Sequence, residues 1–320
     1  MAQPTPTRIQ KASFADSYDR RIVGRWMQGY GEPTHEFEDY YNVESINEQD
    51  KRWSCISGLG TWVLKPIGEN ITYDGIFQGY DTTITPATYA SGFTLEYETW
   101  KDDLSGIIGS QTADSLAQMG RETVEILMAQ PFNAGIASVA ATTAFAPWMS
   151  GGDSKYMLAT DHPVLSGGTW ANTPSSQCDL SVTSLQAAKV RGMKMVGARG
   201  QQYQLKYDTL VVPIDGEQTA REILGSPTLP YLNTQTPNTL HNGMTIKVWS
   251  RLTDTDSWFV NAGKSSKIGG KGIDTVAIWR EKPWFDRDNV FDNGDRRYKG
   301  QFRLGAGCIN SGNGWDGSTG

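Results

Sequence analysis

The stretch Met157-Leu158-Ala159-Thr160-Asp161-His162-Pro163-Val164-Leu165-Ser166-Gly167-Gly168-Thr169-Trp170-Ala171-Asn172-Thr173, continued by Cys178-Asp179-Leu180-Ser181-Val182-Thr183-Ser184-Leu185, is the most informative part of the chain. A strand-like run ends at an Asp-His-Pro turn, a Gly-rich loop follows with Asn172 on its far side, and Ser181 stands where a helix N-cap belongs. The residue types are those of an active site. His162 beside Asp161 offers an acid–base pair, which would need a nucleophile such as Ser166 or Ser154. No G-x-S-x-G elbow is present, and Pro163 fixes the turn directly after the histidine. The structural reading is favoured: a turn in which Asp161 bonds nearby backbone and His162 packs or caps.

On the C-terminal side, the pattern predicts a helix from Ser181 to about Met195, then a strand over Tyr203–Val212 closed by Pro213. Asp215 is placed to cap a helix over Gly216–Leu224, with Gln218 in capping-box position. Asn242-Gly243 signals a hairpin between two β runs. Thr245–Trp249 and Trp258–Asn261 read as strands around the polar turn Thr253–Asp256. Thr275–Arg280 and Tyr298–Cys308 follow, and the Gly/Ser-rich tail reads as loose.

On the N-terminal side, the period changes at Lys101. Asp102 and Asp103 suit a helix N-terminus. Leu104, Ile108, Leu116, Met119, Thr123, Ile126 and Leu127 then predict a helix of roughly 25 residues that stops before Pro131. Gly106, Gly109 and Gly120 weaken it by about 1 kcal/mol each. Residues 53–100 read as β structure, with Trp53 to Leu64, a loop at Pro66–Asn70, then Ile71, Tyr73, Ile76 and Phe77. Residues 82–100 follow, where Phe93, Leu95 and Tyr97 alternate. A two-stranded ribbon of this length buries little by itself and must lie on this chain's body or on a neighbouring chain. Residues 1–52 read as an arm: a Pro/Thr-rich opening, an amphipathic stretch at Arg21–Met27 and the acidic, aromatic Glu36–Tyr41, with too few apolar residues for a core. No internal repeat is found.

The 320 residues suffice for a buried core. A net charge of -6 argues against a dedicated binder of DNA or anionic membrane, though not against a protein that encloses nucleic acid. No apolar window is long enough for a transmembrane helix, and the opening lacks the apolar core of a signal peptide. Cys55, Cys178 and Cys308 form no C-x-x-C pair and give an odd count, which fits folding in a reducing compartment. His35, His162 and His241 are not at zinc-ligand spacings beside them.

Three further motifs take structural readings. Gly263-Lys264-Ser265 resembles the end of a phosphate-binding loop, but Trp258 stands where its first glycine is required, so a surface turn is expected. Asp254 and Asp256, and the later Asp286, Asp288, Asp292 and Asp295, lack the alternation of a calcium loop and read as solvated turns. The tryptophans, Trp26, Trp62, Trp148, Trp249, Trp279 and Trp284 among them, could form a sugar platform. They are scattered, and core or interface packing explains them as well. No cofactor and no metal are expected.

Four features together resemble the major capsid proteins of tailed bacteriophages with the HK97-type fold. One is Tyr89-Ala90-Ser91-Gly92-Phe93-Thr94-Leu95 followed by Asp102-Asp103. The second is Leu158–Pro163 with Gly168-Thr169, Asn172 and Leu180-Ser181. The third is Asp208–Pro213 before Ala220, Glu222, Ile223 and Leu224. The fourth is Leu252–Phe259 followed by Arg280, Pro283 and Phe285. The resemblance spans most of the chain and implies an α+β fold: an N-terminal arm (1–52), an extended β-hairpin loop or E-loop (53–100), and a peripheral domain with a long spine helix (101–180). It continues with an axial domain (181–272) and a return to the peripheral domain with the C-terminal tail (273–320).

The resemblance further implies a non-enzymatic subunit that assembles with itself into hexamers and pentamers of an icosahedral head. Trp62, Leu64, Lys65, Ile71, Tyr73 and Phe77 are the inter-subunit contacts it points to. The head would enclose double-stranded DNA without sequence-specific binding and without a membrane. It would be assembled in the host cytoplasm with scaffold, portal and decoration proteins as further partners. Some members join subunits through a Lys–Asn isopeptide bond. Lys65 near the ribbon tip is a conceivable donor, but no Asn partner is identified and the bond is not predicted. Only a short arm precedes the ribbon, so a separate scaffold, or none, is expected. The alternative is a β-rich carbohydrate-binding or glycan-cleaving protein.

Overall fold

The computed structural model describes residues 12–31, 35–102, 107–134, 152–229, 236–263, 273–309 and 314–320. The elements run α1 (Ala12–Gly31), β1 (Asn42–Ser45), β2 (Lys51–Ile56), β3 (Gln78–Ile84), β4 (Ala87–Leu95), α2 (Tyr97–Asp102) and α3 (Ile107–Asn133). They continue with β5 (His162–Pro163), β6 (Thr169–Trp170), α4 (Val182–Lys194), β7 (Thr209–Val212), α5 (Glu217–Gly225) and β8 (Thr245–Val248). The last are β9 (Trp258–Asn261), β10 (Thr275–Asn289), β11 (Arg296–Cys308) and β12 (Trp315–Ser318). Two four-stranded sheets have the orders β1-β10-β11-β4 and β12-β9-β7-β8, and β2-β3 and β5-β6 are separate pairs.

The chain divides into two compact units. The first takes residues up to His35, Ala87–Glu125 and Glu281–Leu304. Its β11 pairs antiparallel with β4, from Arg296↔Leu95 to Leu304↔Ala87. Ile22, Trp26, Leu95, Ala113, Ala117 and Tyr298 form its core. Trp26 stacks on Phe285 and on Tyr30, with centroids 5.4 and 5.5 Å apart. The amphipathic Arg21–Met27 is thus part of a 20-residue helix that contributes Ile22 and Trp26 to this core.

The second unit takes Glu36–Pro86, Ile126–Arg280 and residues from Gly305 onward. One cluster lies on the sheet β12-β9-β7-β8, where Leu210, Val212, Trp258 and Val260 pack against Leu185, Ala188, Ala220 and Ile223 of α4 and α5. A second is aromatic: Phe132 makes edge contacts with Trp249, Phe259 and Trp315 at 5.1, 5.4 and 4.7 Å. Phe37 and Tyr41 are fully buried and β1 pairs parallel with β10, so residues 36–45 supply core despite their acidic neighbours.

Several sequence expectations are corrected. Asp102 lies within the helical segment Tyr97–Asp102, and the long helix does not stop before Pro131: α3 runs 27 residues and carries Pro131 inside its last turn. A proline there removes a single hydrogen bond near a terminus, where few remain to be made. Asp215 does not cap α5; Gly216 is the N-cap and no side chain bonds the free N–H groups. The strand at 203–212 shortens to Thr209–Val212. Asn242-Gly243 is not a hairpin, because β8 pairs parallel with β7. The tail expected to be loose contains β12, buried at every residue and antiparallel to β9. Asp103, Leu104, Gly106, Trp148, Lys264, Ser265 and the Pro/Thr-rich opening lie outside the described residues.

Candidate inter-subunit interface

The Asp-His-Pro stretch folds as a small two-stranded turn, with His162 opposite Trp170 and Pro163 opposite Thr169. Gly167 and Gly168 take φ of +95° and +93°, which other residues rarely adopt, and the turn closes with Gly167 N–H donating to Val164 O at 2.9 Å. His162 is completely buried and stacks on Trp170 at 4.6 Å. Hydrogen bonds join its Nδ1 to Asp153 Oδ2 at 2.8 Å and its Nε2 to Asn172 Oδ1 at 3.2 Å. Asn172 accepts from Ala159 N–H at 2.8 Å and donates Nδ2 to Met157 O at 2.7 Å. Asp161, expected to bond nearby backbone, faces outward and pairs with Lys155. Neither Ser154 nor Ser166 is hydrogen-bonded to the His162 ring, whose two nitrogens are taken by Asp153 and Asn172. The histidine packs, as expected, and its polar partners are Asp153 and Asn172.

This turn supports the root of the ribbon. A Cβ on Gly79 at the start of β3 would lie 2.6 Å from Leu165, so the strand sits directly on that side chain. Ser166 N–H donates to Ala198 O at 3.0 Å, fastening the next loop. That loop is a tight reversal in which Gly197 N–H donates to Gln201 O at 2.7 Å and Tyr203 N–H to Met195 O at 2.9 Å. Arg199 at its apex reaches the ribbon.

The ribbon itself is ladder-paired only in β2 and β3. Above them Ser57 N–H donates to Phe77 O and Phe77 N–H to Ser57 Oγ, both at 2.9 Å. Asp74 then accepts from Gly60 N–H at 2.6 Å and Gly75 N–H at 2.8 Å. These bonds, Gly60 first and Arg199 next, hold the Asp74 carboxyl below the usual carboxylate range. Every residue from 61 to 78 is exposed. Trp62 is 100% exposed, Leu64 90%, Ile67 105%, Tyr73 91% and Ile71 63%, a concentration of exposed large apolar side chains that makes the ribbon the candidate interaction surface. Of the six residues singled out, Phe77 differs. Arg199 lies 4.8 Å over its ring, so it is engaged within the chain. Lys65 is exposed at the tip. The sequence reading missed Val63, Ile67 and Ile76, which share the exposure, and the bonds at Gly60, Asp74 and Arg199.

Among the described residues no group of three or more His, Cys, Asp or Glu is placed to hold a metal, and no helix is long and apolar enough to cross a membrane. Asp254 Oδ1 accepts from Asp256 N–H in a local turn. Trp249, Trp258 and Trp315 are fully buried and Trp26 and Trp279 nearly so, so these five are core residues.

The fold is shared with solved structures from several phages. A structure from Microbacterium phage Oxtober96 superposes with a TM-score of 0.54 at 9% identity, covering 99% of this chain and 95% of that one. The bacteriophage JBD30 capsid gives 0.52 at 13% identity, with 79% and 100% covered, and the capsid of cyanophage P-SCSP1u gives 0.51 at 12%, with 89% and 87%. No curated protein matches the sequence. The architecture is therefore the HK97-type fold of phage capsids. A family model described as phage capsid protein matches residues 79–317, well over half of the chain, so the chain belongs to the phage capsid protein family. It is a structural subunit of a phage head shell, a major capsid protein, and the carbohydrate-protein alternative has no support.

Proposed function

We propose that copies of this chain assemble through the ribbon into the hexamers and pentamers of an icosahedral head that encloses double-stranded DNA, with no enzymatic step. The observation that carries this reading is the ribbon: Trp62, Leu64, Ile71 and Tyr73 are held in the open, whereas Phe37, Tyr41, Trp249, Trp258 and Trp315 are fully buried. Removing such a surface from water is worth roughly 25 cal/mol per Å², and head-to-tail contacts of unlike surfaces close into rings. Trp62, Leu64, Lys65, Ile71, Tyr73 and Phe77 are the proposed contact residues, with Phe77 acting through the root. The reading keeps the division into arm (1–52), E-loop (53–100), peripheral domain (101–180), axial domain (181–272) and returning peripheral segment (273–320). Assembly in the host cytoplasm, with scaffold, portal and decoration proteins as partners, belongs to the same proposal. One JBD30 capsid structure carries minor capsid protein trimers as decoration.

Size-exclusion chromatography with electron microscopy of the purified protein tests it. Hexamers, pentamers or closed shells are expected. A stable monomer at high concentration that never assembles would sink the reading.

A further inference from the structure

We propose that Arg199 is the positioning residue of the ribbon: one guanidinium fixes the angle at which residues 61–73 leave the body. The proposal rests on the reading of the ribbon as a contact between subunits.

Arg199 meets both limbs of the ribbon. Its Nη1 donates to Asp74 Oδ2 at 2.7 Å, its Nη2 donates to Gly75 O, and its plane covers the Phe77 ring. On the outgoing limb Nε lies 3.4 Å from Ser57 Oγ, and the neighbouring Gln201 donates Nε2 to Leu59 O at 3.3 Å. Asp74 carries the connection across, because the same oxygen that receives Arg199 also receives Gly60 N–H. The side chain of Arg199 is 14% exposed while that of Asp74 is 43%, so the arginine is packed and the carboxylate is held at the edge. A planar guanidinium holds several acceptors in a fixed fork while its flat face lies on an aromatic ring, a geometry that an ammonium, which has no plane, does not reproduce.

The lever explains why this position matters. Fully extended, residues 61–67 would carry the tip about 20 Å beyond the root. A rotation of about 15° there carries the tip about 5 Å, more than an apolar contact tolerates when interfaces pack as densely as protein interiors. The loop that presents Arg199 is closed by its own backbone bonds and tied to Ser166, so the angle is set by the body and not by the exposed limb.

Hydrogen exchange on the full-length isolated subunit, together with shell yield by electron microscopy, tests this with Arg199→Ala, Arg199→Lys and Asp74→Asn. Arg199→Ala is expected to speed exchange about tenfold at the hydrogen-bonded root amides of Ser57, Gly60, Gly75 and Phe77 while residues 209–212 and 258–261 stay protected, and to lower shell yield. Arg199→Lys is expected to restore only part of each. Should Arg199→Ala lose protection at 209–212, Asp74→Asn decides on the same two readouts. Unchanged exchange in the ribbon overturns the proposal, and so does faster exchange with undiminished yield. Leu64→Asp leaves the root intact and judges the contact reading alone: full assembly by that variant removes the ribbon as a contact, while the exchange data still judge Arg199.

Discussion

The guanidinium of Arg191 forks onto the carboxylate of Asp316, Nε to Oδ2 at 2.9 Å and Nη2 to Oδ1 at 2.6 Å, and so fastens α4 to β12. Asp316 is buried, and burial pushes its carboxyl up to about 7, with Arg191 opposing the rise. The folded carboxyl therefore holds its proton more tightly than the unfolded one. Stability from this group is fully present below the ordinary carboxylate value and is lost as pH rises toward 7. Arg191→Gln removes the opposing charge and leaves the buried carboxylate unpaired, at a cost of about 3 kcal/mol near neutrality and less in acid. Urea denaturation at about pH 5 and about pH 8 checks it; an equal loss at both would show that Asp316 ionisation is not the cause.

Asn172 is expected to tolerate no apolar replacement. Its amide serves Ala159 N–H, Met157 O and the His162 ring. Asn172→Ala leaves these buried groups unsatisfied and is predicted to cost about 3 kcal/mol. The denaturation midpoint measures this, and a loss below about 1 kcal/mol would mean that solvent replaces the amide.

Gly192 inverts the usual rule for helices. Gly→Ala inside a helix normally gains about 1 kcal/mol. Here an added Cβ would lie 2.6 Å from the ring of Tyr207, which is itself in the core. Gly192→Ala is predicted to destabilise by about 1–3 kcal/mol through overpacking, read as a lowered melting temperature.

The ribbon can be shortened without disturbing its root. Gly60 N and Asp74 Oδ2 are 2.6 Å apart, so residues 61–73 can be replaced by a short glycine turn. Stability should change by no more than about 0.5 kcal/mol, because these residues are exposed, while shell formation is lost. Normal shells from this variant would refute the contact role.

Trp315 reports on the last strand. It is fully buried, 4.7 Å from Phe132 and 6.4 Å from Tyr40. Trp315→Ala is predicted to cost about 4 kcal/mol, by denaturation with the buried tryptophan fluorescence as probe.

What was legible in the sequence was local. Ser181 caps α4 with a reciprocal bond from Ser184, and both partners lie within one turn of chain. Trp258–Asn261 stands as read, because four strongly β-forming or packed residues sit between polar turns. The exposed apolar run around Trp62 was legible because nothing in the ribbon could cover it. The misses depend on distant partners. Asp74 and Arg199 are 125 positions apart, and neither carries a spacing signal. Trp315–Ser318 sits among glycines and serines and becomes a strand only because β9 offers an edge. Asn242-Gly243 has the composition of a hairpin, but β8 follows the parallel edge of β7. Asp153, which completes the His162 pair, lies across a turn that composition does not draw.

The burial of β12 also imposes an order on synthesis. The ribosome makes the ribbon early, Arg199 later, and Trp315 long after both. Until Trp315 emerges, β9 has one open edge, and Phe132 and Tyr40 lack one of the rings they pack on. A nascent chain therefore carries its sticky limb for most of translation without the finished body that aims it. The edge of β9 and the aromatic cluster around Phe132 are completed only once Trp315–Ser318 has been made, long after the ribbon.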